Sequence, residues 1–125
     1  MALEANMAKT TRYDMLVRDG YPEMLERGGK KRCVTSTVDG AELMDRLADK
    51  LAEETQNFGT AYDAEDDEKA IGKLADVVEV VYTMLGEYGV SDEAFCRIRE
   101  ARSAMYGTYD RHTLLECIEE LDSED

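Results

Sequence analysis

Between residues 65 and 88 lie the apolar side chains Ile71, Leu74, Ala75, Val77, Val78, Val81, Met84, Leu85 and Tyr88, with Ile71, Leu74, Ala75 and Val78 at the i, i+3, i+4, i+7 spacing. That is the α-helical repeat, and it predicts a long helix from about Glu65 to Glu87. These residues cover most of the helix circumference. Lys73, Asp76, Glu79 or Val80, and Thr83 form the narrow polar strip that remains. A helix apolar on so many sides sits centrally in a bundle or packs against a second chain.

The rest of the chain supplies helices for it to pack against. Leu47, Leu51 and Phe58 mark one stripe of a helix from about Gly40 to Phe58. Asp39 is its expected N-cap, with Glu42 completing a capping box, and Gly59 is its expected stop. Ser91 caps a further helix over about Asp92 to Met105, with Phe95 and Ile98 inward. Pro22 suits the first turn of a short helix running to Glu26. The β-branched stretch KKRCVTSTV predicts a short strand or an extended loop. The tail HTLLECIEEL predicts a last short element, helix or strand. The fold class expected is all-α, an antiparallel helix bundle with short loops.

A chain of 125 residues suits a single domain, expected over residues 13–125 after a loose leader of residues 1–12. The leader has no apolar signal core, and no run approaches the length of a membrane span. A cytoplasmic location, away from membranes, is therefore expected. With 29 acidic and 15 basic residues the net charge is −14, which repels nucleic-acid phosphates and argues against DNA or RNA as partners. The same surface is compatible with cations. Cys33, Cys96 and Cys117 are widely spaced and odd in number. They read as reduced thiols packed as small apolar groups rather than as a disulfide or zinc framework. The single histidine, His112, reads as a surface or capping residue.

Glu54 falls inside the apolar stripe of the first long helix, three after Leu51 and four before Phe58, with Glu53 beside it. Asp76 and Glu79 share a face of the second. If the helices run antiparallel, these pairs approach each other. Converging carboxylates repel and lose hydration, and a hard divalent cation removes that penalty. Magnesium, held by carboxylates, waters and substrate phosphates, is the expected ion, with manganese the alternative. On so acidic a chain, a solvated acidic face is the competing account.

Four stretches then carry a resemblance. YDMLVRDGYPEML is similar to an opening pattern Y-x-K-L-V-R-D-x-I-P-E, with Tyr13, Leu16, Val17, Arg18, Asp19, Pro22 and Glu23 fitting and Met15 and Tyr21 departing. KLAEETQNF resembles K-L-x-E-E-x-x-E-F, and KLADVVEVVYTM resembles E-L-A-D-x-x-E-V-x-x-x-L. RSAMYGTY looks like a worn K-x-x-x-R-G-G-F. Together, over about Tyr13 to Glu120, they resemble the MazG-like all-α nucleoside triphosphate pyrophosphohydrolases, which include phosphoribosyl-ATP pyrophosphohydrolase.

The resemblance implies an ExxE and an ExxD motif holding magnesium, hydrolysis between the α- and β-phosphates to a monophosphate and pyrophosphate, and a homodimer or homotetramer. Residue by residue, it implies Glu53, Glu54 and Asp76 as catalytic and metal-holding carboxylates, with Asn57 at a metal-ligand position; Glu79, one turn beyond Asp76, is a further candidate ligand that could compensate. Arg18, Asp19, Arg102 and Arg111 are the candidate substrate-binding residues, and Lys73 joins them if it contacts a substrate phosphate directly. Arg18 and Asp19 are equally open to an internal structural role, and Arg102 and Arg111 to exposed salt bridging. Two implied acidic ligands are replaced here, one by Asn57 and one by Lys73. An amide oxygen still ligates a hard cation. An ammonium one turn from Asp76 can instead pair with it and fill the cation's place. Alongside the hydrolase, a degenerate nucleotide-binding or oligomeric interaction module is therefore expected as the alternative.

Overall fold

The computed structural model describes residues 9–122. The first eight residues of the expected leader lie outside them, and residues 9–12 have no regular structure. The described residues form four helices and no strand: α1 (Tyr21–Glu26), α2 (Gly40–Asp63), α3 (Asp67–Glu87) and α4 (Asp92–Tyr106). The all-α expectation holds. The chain divides into two units, Met1–Gly89 and Val90–Asp125.

In the first unit the main packing is α2 against α3. The buried residues of α2 are Leu47, Glu54 and Ala61, seven apart, and those of α3 are Ala70 and Val80. Lys50 and Asn57 on α2, and Lys73, Val77 and Met84 on α3, are half-buried at the intervening turns. Residues spaced by seven, with a second set three or four between, form the seam of two helices packed side by side. The middle of this seam is polar, because Glu54, Asn57 and Lys73 all fall in it.

Helix α2 runs past its expected stop. Gly59 is an interior residue without positive φ, and the apolar stripe continues beyond it through Ala61 and the Phe58–Tyr62 ring stack, 6.2 Å between centroids. A glycine ends a helix when it takes the left-handed position just beyond it, and here Glu65 does so, with φ 57°. The turn is closed by Asp66 N–H donating to the Ala61 carbonyl (3.0 Å) and Glu65 N–H to that of Tyr62 (3.0 Å).

The caps also differ from expectation. Asp39 holds the N-cap position of α2, but its side chain makes no capping bond. The Asp66 carboxylate accepts from Lys69 N–H (3.1 Å), and the Ser91 hydroxyl accepts from Ala94 N–H (3.1 Å). Ser91→Ala is expected to destabilise its helix by about 1 kcal/mol, and Asp39→Ala to change stability by no more than about 0.5 kcal/mol. Urea unfolding of the two variants checks this, and equal losses would contradict it.

The stretch 30–38 takes the loop alternative and not the strand. Among the described residues no strand lies beside it, and β-branched residues favour strands only where a sheet packs them. It is tied to α1, with Cys33 N–H donating to Glu26 Oε2 (2.9 Å). In the second unit, Phe95 is half-buried, while Ile98, expected inward, is 47% exposed. The tail from Thr108 to Asp122 is neither helix nor strand, and Leu114, Leu115, Ile118 and Leu121 are exposed. His112 is exposed in a turn, as expected of a surface residue. Cys33 is half-buried, but Cys96 and Cys117 are exposed, so the packed-thiol expectation fails for those two.

Candidate functional site

The polar middle of the α2–α3 seam brings a cluster of ionisable groups together. Glu54 is only 8% exposed, so its carboxylate has to be partnered. Its Oε2 lies 3.5 Å from Lys73 Nζ, and Asn57 Nδ2 donates to its Oε1 at 3.5 Å. The same Nζ lies 3.5 Å from Asp76 Oδ2. One ammonium therefore stands between two carboxylates carried by two different helices. Charge-assisted N–H···O bonds normally measure about 2.7–2.9 Å, so this ammonium is loosely held by both.

Arg18 closes the network from the N-terminal segment. Its Nη2 donates to Asp76 Oδ1 at 2.7 Å, and its Nη1 lies 3.6 Å from Glu79 Oε1. The segment is positioned by a turn, Tyr21 N–H donating to the Arg18 carbonyl (2.9 Å), and by the Arg46 guanidinium, which donates to the Asp14 carbonyl. The contact with Asp76 is short and well aimed, unlike those of Lys73. Three carboxylates against two cations leave the network one charge negative.

Burial works to raise the Asp76 pKa. The hydrogen bond from Arg18, a contact with Glu54 and the charges of Lys73 and Arg18 outweigh it, and the pKa lies below the ordinary carboxylate value. A carboxyl depressed in the folded state binds fewer protons there than when unfolded. Its contribution is complete above the unfolded pKa of about 3.9 and is lost as pH falls through the folded value. Asp76→Asn is therefore expected to lower the urea midpoint at neutral pH, with the difference shrinking as the pH falls below the unfolded value and vanishing once it has passed through the lowered folded one. A difference that persisted in acid would show that charge is not its origin.

The remaining expected residues lie elsewhere. Glu53 turns to Lys50, Oε2 to Nζ 2.8 Å, and lines a cavity of about 110 Å³ beside Arg46 and Leu16. Asp19 is exposed, and its side chain makes no hydrogen bond or ion pair with another described residue. The internal partner of Arg18 is thus Asp76 and not its neighbour. Arg102 and Arg111 belong to the second unit. Arg102 lies over the Tyr106 ring, 5.5 Å from its centroid, and Arg111 is exposed. Sequence reasoning missed Lys50 and Arg46. Their spacing to Glu53 and from Glu42 on one helix was the available signal.

The donor chemistry can be tested against a divalent cation. Two carboxylate oxygens from facing helices already share one point cation, and magnesium is usually held by one or two carboxylates plus waters and substrate phosphates. Glu54 and Asp76 fit that role once Nζ moves away. Among the described residues, no three His, Cys, Asp or Glu side chains form a ready-made metal cluster. That follows from the ammonium at the centre and the amide at position 57.

Comparison with known proteins gives one match. The family model for phosphoribosyl-ATP pyrophosphohydrolase matches residues 29–103, more than half of the chain and all of α2 and α3. No curated protein and no solved structure matches.

Proposed function

Because this chain belongs to the phosphoribosyl-ATP pyrophosphohydrolase family, we propose that it hydrolyses a nucleoside triphosphate, or a nucleotide with the same phosphate arm, to a monophosphate and pyrophosphate. The family generally depends on a divalent metal, and magnesium is the proposed ion, with manganese able to replace it. The observation that carries this reading is the pair Glu54 Oε2 and Asp76 Oδ2, each 3.5 Å from one cationic nitrogen.

Glu54 and Asp76 would hold the ion, with Glu53, Asn57 and Glu79 the further candidates. When bound, such an ion neutralises phosphate charge and polarises the attacking water. Arg18 keeps Asp76 ionised and aims its carboxylate. Lys73, Arg18 and, more distantly in sequence, Arg102 and Arg111 are the cations proposed to meet the phosphates. Burial around Glu54 strengthens its own interactions with Lys73 and a bound ion by keeping water away.

The assembly is proposed to be a homodimer or homotetramer. Helix α3 spends one face on α2, and on another it exposes Ile71 (67%), Leu74 (48%) and Val78 (50%) at helical spacing. A second copy is the proposed cover for this stripe. Val78→Asp is expected to shift the protein to monomer in light scattering. An unchanged mass would remove the stripe from the interface. No helix among the described residues is long and apolar enough to cross a membrane. The net charge of −14 speaks against nucleic acid, and the nucleotide substrate speaks for a cytoplasmic location.

The test is release of monophosphate and pyrophosphate from a nucleotide panel, with magnesium and with manganese, each at low and high salt. Release that a Glu54→Ala control lacks is the expected result. A second reading, nucleotide binding without turnover, is favoured by Lys73 lying where the family carries a ligand. No release from folded protein, with nucleotide still raising Tm, would establish that reading in place of the first.

A further inference from the structure

We infer that Lys73 is a gate on the cation position: it excludes a free divalent ion and admits one that arrives already bound to nucleotide phosphate. The inference rests on the nucleotide reading above and adds to it a coupling between ion and substrate.

The geometry sets up the exchange. Nζ lies at 3.5 Å from both Glu54 Oε2 and Asp76 Oδ2, so it stands where an ion bridging the two helices would stand. The Lys73 side chain is 25% exposed while that of Glu54 is 10% exposed, so the lysine has a way out and the glutamate does not. Arg18 stays fixed on Asp76 at 2.7 Å and does not contest the shared position.

A free ion entering this position must evict the ammonium. The displaced Nζ then faces a cation across a few ångströms with no new anion to pair with, and like charges at that distance repel. Entry of the free ion is therefore penalised. An ion carried on a nucleotide brings the missing anion with it. Nζ can leave the carboxylates and take a phosphate oxygen, on a flexible four-carbon stem with three donors. The carboxylates gain the ion, the lysine gains the phosphate, and every charge remains paired. A ligand that supplies what the other displaces makes the two bind with positive coupling, typically 5–150-fold.

The lysine thus makes opposite contributions to two binding events, and neutralising it separates them. The experiment is titration calorimetry of the full chain with Mn2+ alone and, separately, with a preformed one-to-one complex of Mn2+ and α,β-methylene-ATP, whose scissile bridge cannot be cleaved. Wild type is expected to bind the complex at least tenfold more tightly than Mn2+ alone. Lys73→Met is expected to bind Mn2+ alone at least tenfold more tightly than wild type does, and to bind the complex more weakly. Lys73→Gln keeps a hydrogen-bond donor for buried Glu54 and is expected to behave as Lys73→Met does, which covers a failure of the methionine variant to fold.

Equal Mn2+ affinity in wild type and both variants would overturn the inference, as would a wild type that binds Mn2+ alone as tightly as the complex. If no protein bound the complex while Lys73→Met or Lys73→Gln bound Mn2+ more tightly, the nucleotide reading would fail. Lys73 would then be shown to exclude the ion, but the substrate half of the gate would be overturned.

Discussion

Glu54→Ala is expected to abolish divalent-dependent hydrolysis, with a loss of at least about 100-fold, since even the outer partners of metal ligands are commonly worth 10–100-fold. Glu54 is the one charged side chain buried in the seam, and its Oε2 is one of the two oxygens that meet at Nζ. With it removed, a single carboxylate faces the cation position, and Lys73 falls back on Asp76 alone. The folding cost should be smaller than for a fully buried pair. Breaking such a pair costs about 3–5 kcal/mol, and with Lys73 a quarter exposed the expectation here is about 1–2 kcal/mol. Product release and urea unfolding on the same preparation check both parts. Full activity in folded Glu54→Ala would remove this seam from the catalytic account.

The second large effect is expected from Lys73→Glu, which places a third carboxylate against Glu54 and Asp76. Without metal this variant should be less stable than wild type by about 3 kcal/mol, because three carboxylates then crowd a half-buried seam without their ammonium. Millimolar magnesium should close most of that gap. An ion at about 100 times its Kd adds roughly 2.7 kcal/mol to the folded state, and only the variant has the ligands to reach that occupancy. Thermal unfolding with and without the ion is the measurement. The expected result is a Tm that rises in the variant and stays level in wild type. Unchanged or weaker affinity for the ion would count against aligning position 73 with the family's glutamate.

Much of the fold was legible because two long helices write their own period into the chain. The α3 pattern predicted a helix that ends where α3 ends, and the excess of apolar positions anticipated a second apolar face, now seen at Ile71, Leu74 and Val78. Gly59 misled because a glycine's effect depends on its φ, which the residue name does not carry. Residues 30–38 took the loop alternative because strand preference is a property of a sheet that this chain does not build among its described residues.

The site divides along the same line. Glu54 lay inside an apolar stripe, and burial followed from that placement. Lys73 lay one turn from Asp76, and their pairing followed from helical spacing. Arg18 is different. It reaches Asp76 across 58 residues, and no local pattern encodes a contact of that span. Only the resemblance of the opening stretch, which lies ahead of the matched residues 29–103, marked Arg18 at all. Glu53 looked equivalent to Glu54 in the sequence, yet one residue of helical rotation pairs it with Lys50 instead of Lys73.

The polar middle of the α2–α3 seam has a further consequence, for how the two helices find their alignment. Apolar seams tolerate sliding, since one small aliphatic layer resembles the next. A charged layer does not. Displacing α3 by one heptad along α2 would carry Lys73 away from Glu54 and strand a buried carboxylate, at a cost no neighbouring layer repays. The pair therefore selects one register out of several that Leu47, Ala61, Ala70 and Val80 would accept. A chain altered at Lys73 to bind its ion more tightly would surrender that selection until the ion arrived, and its helices would be aligned by the metal instead of by the sequence.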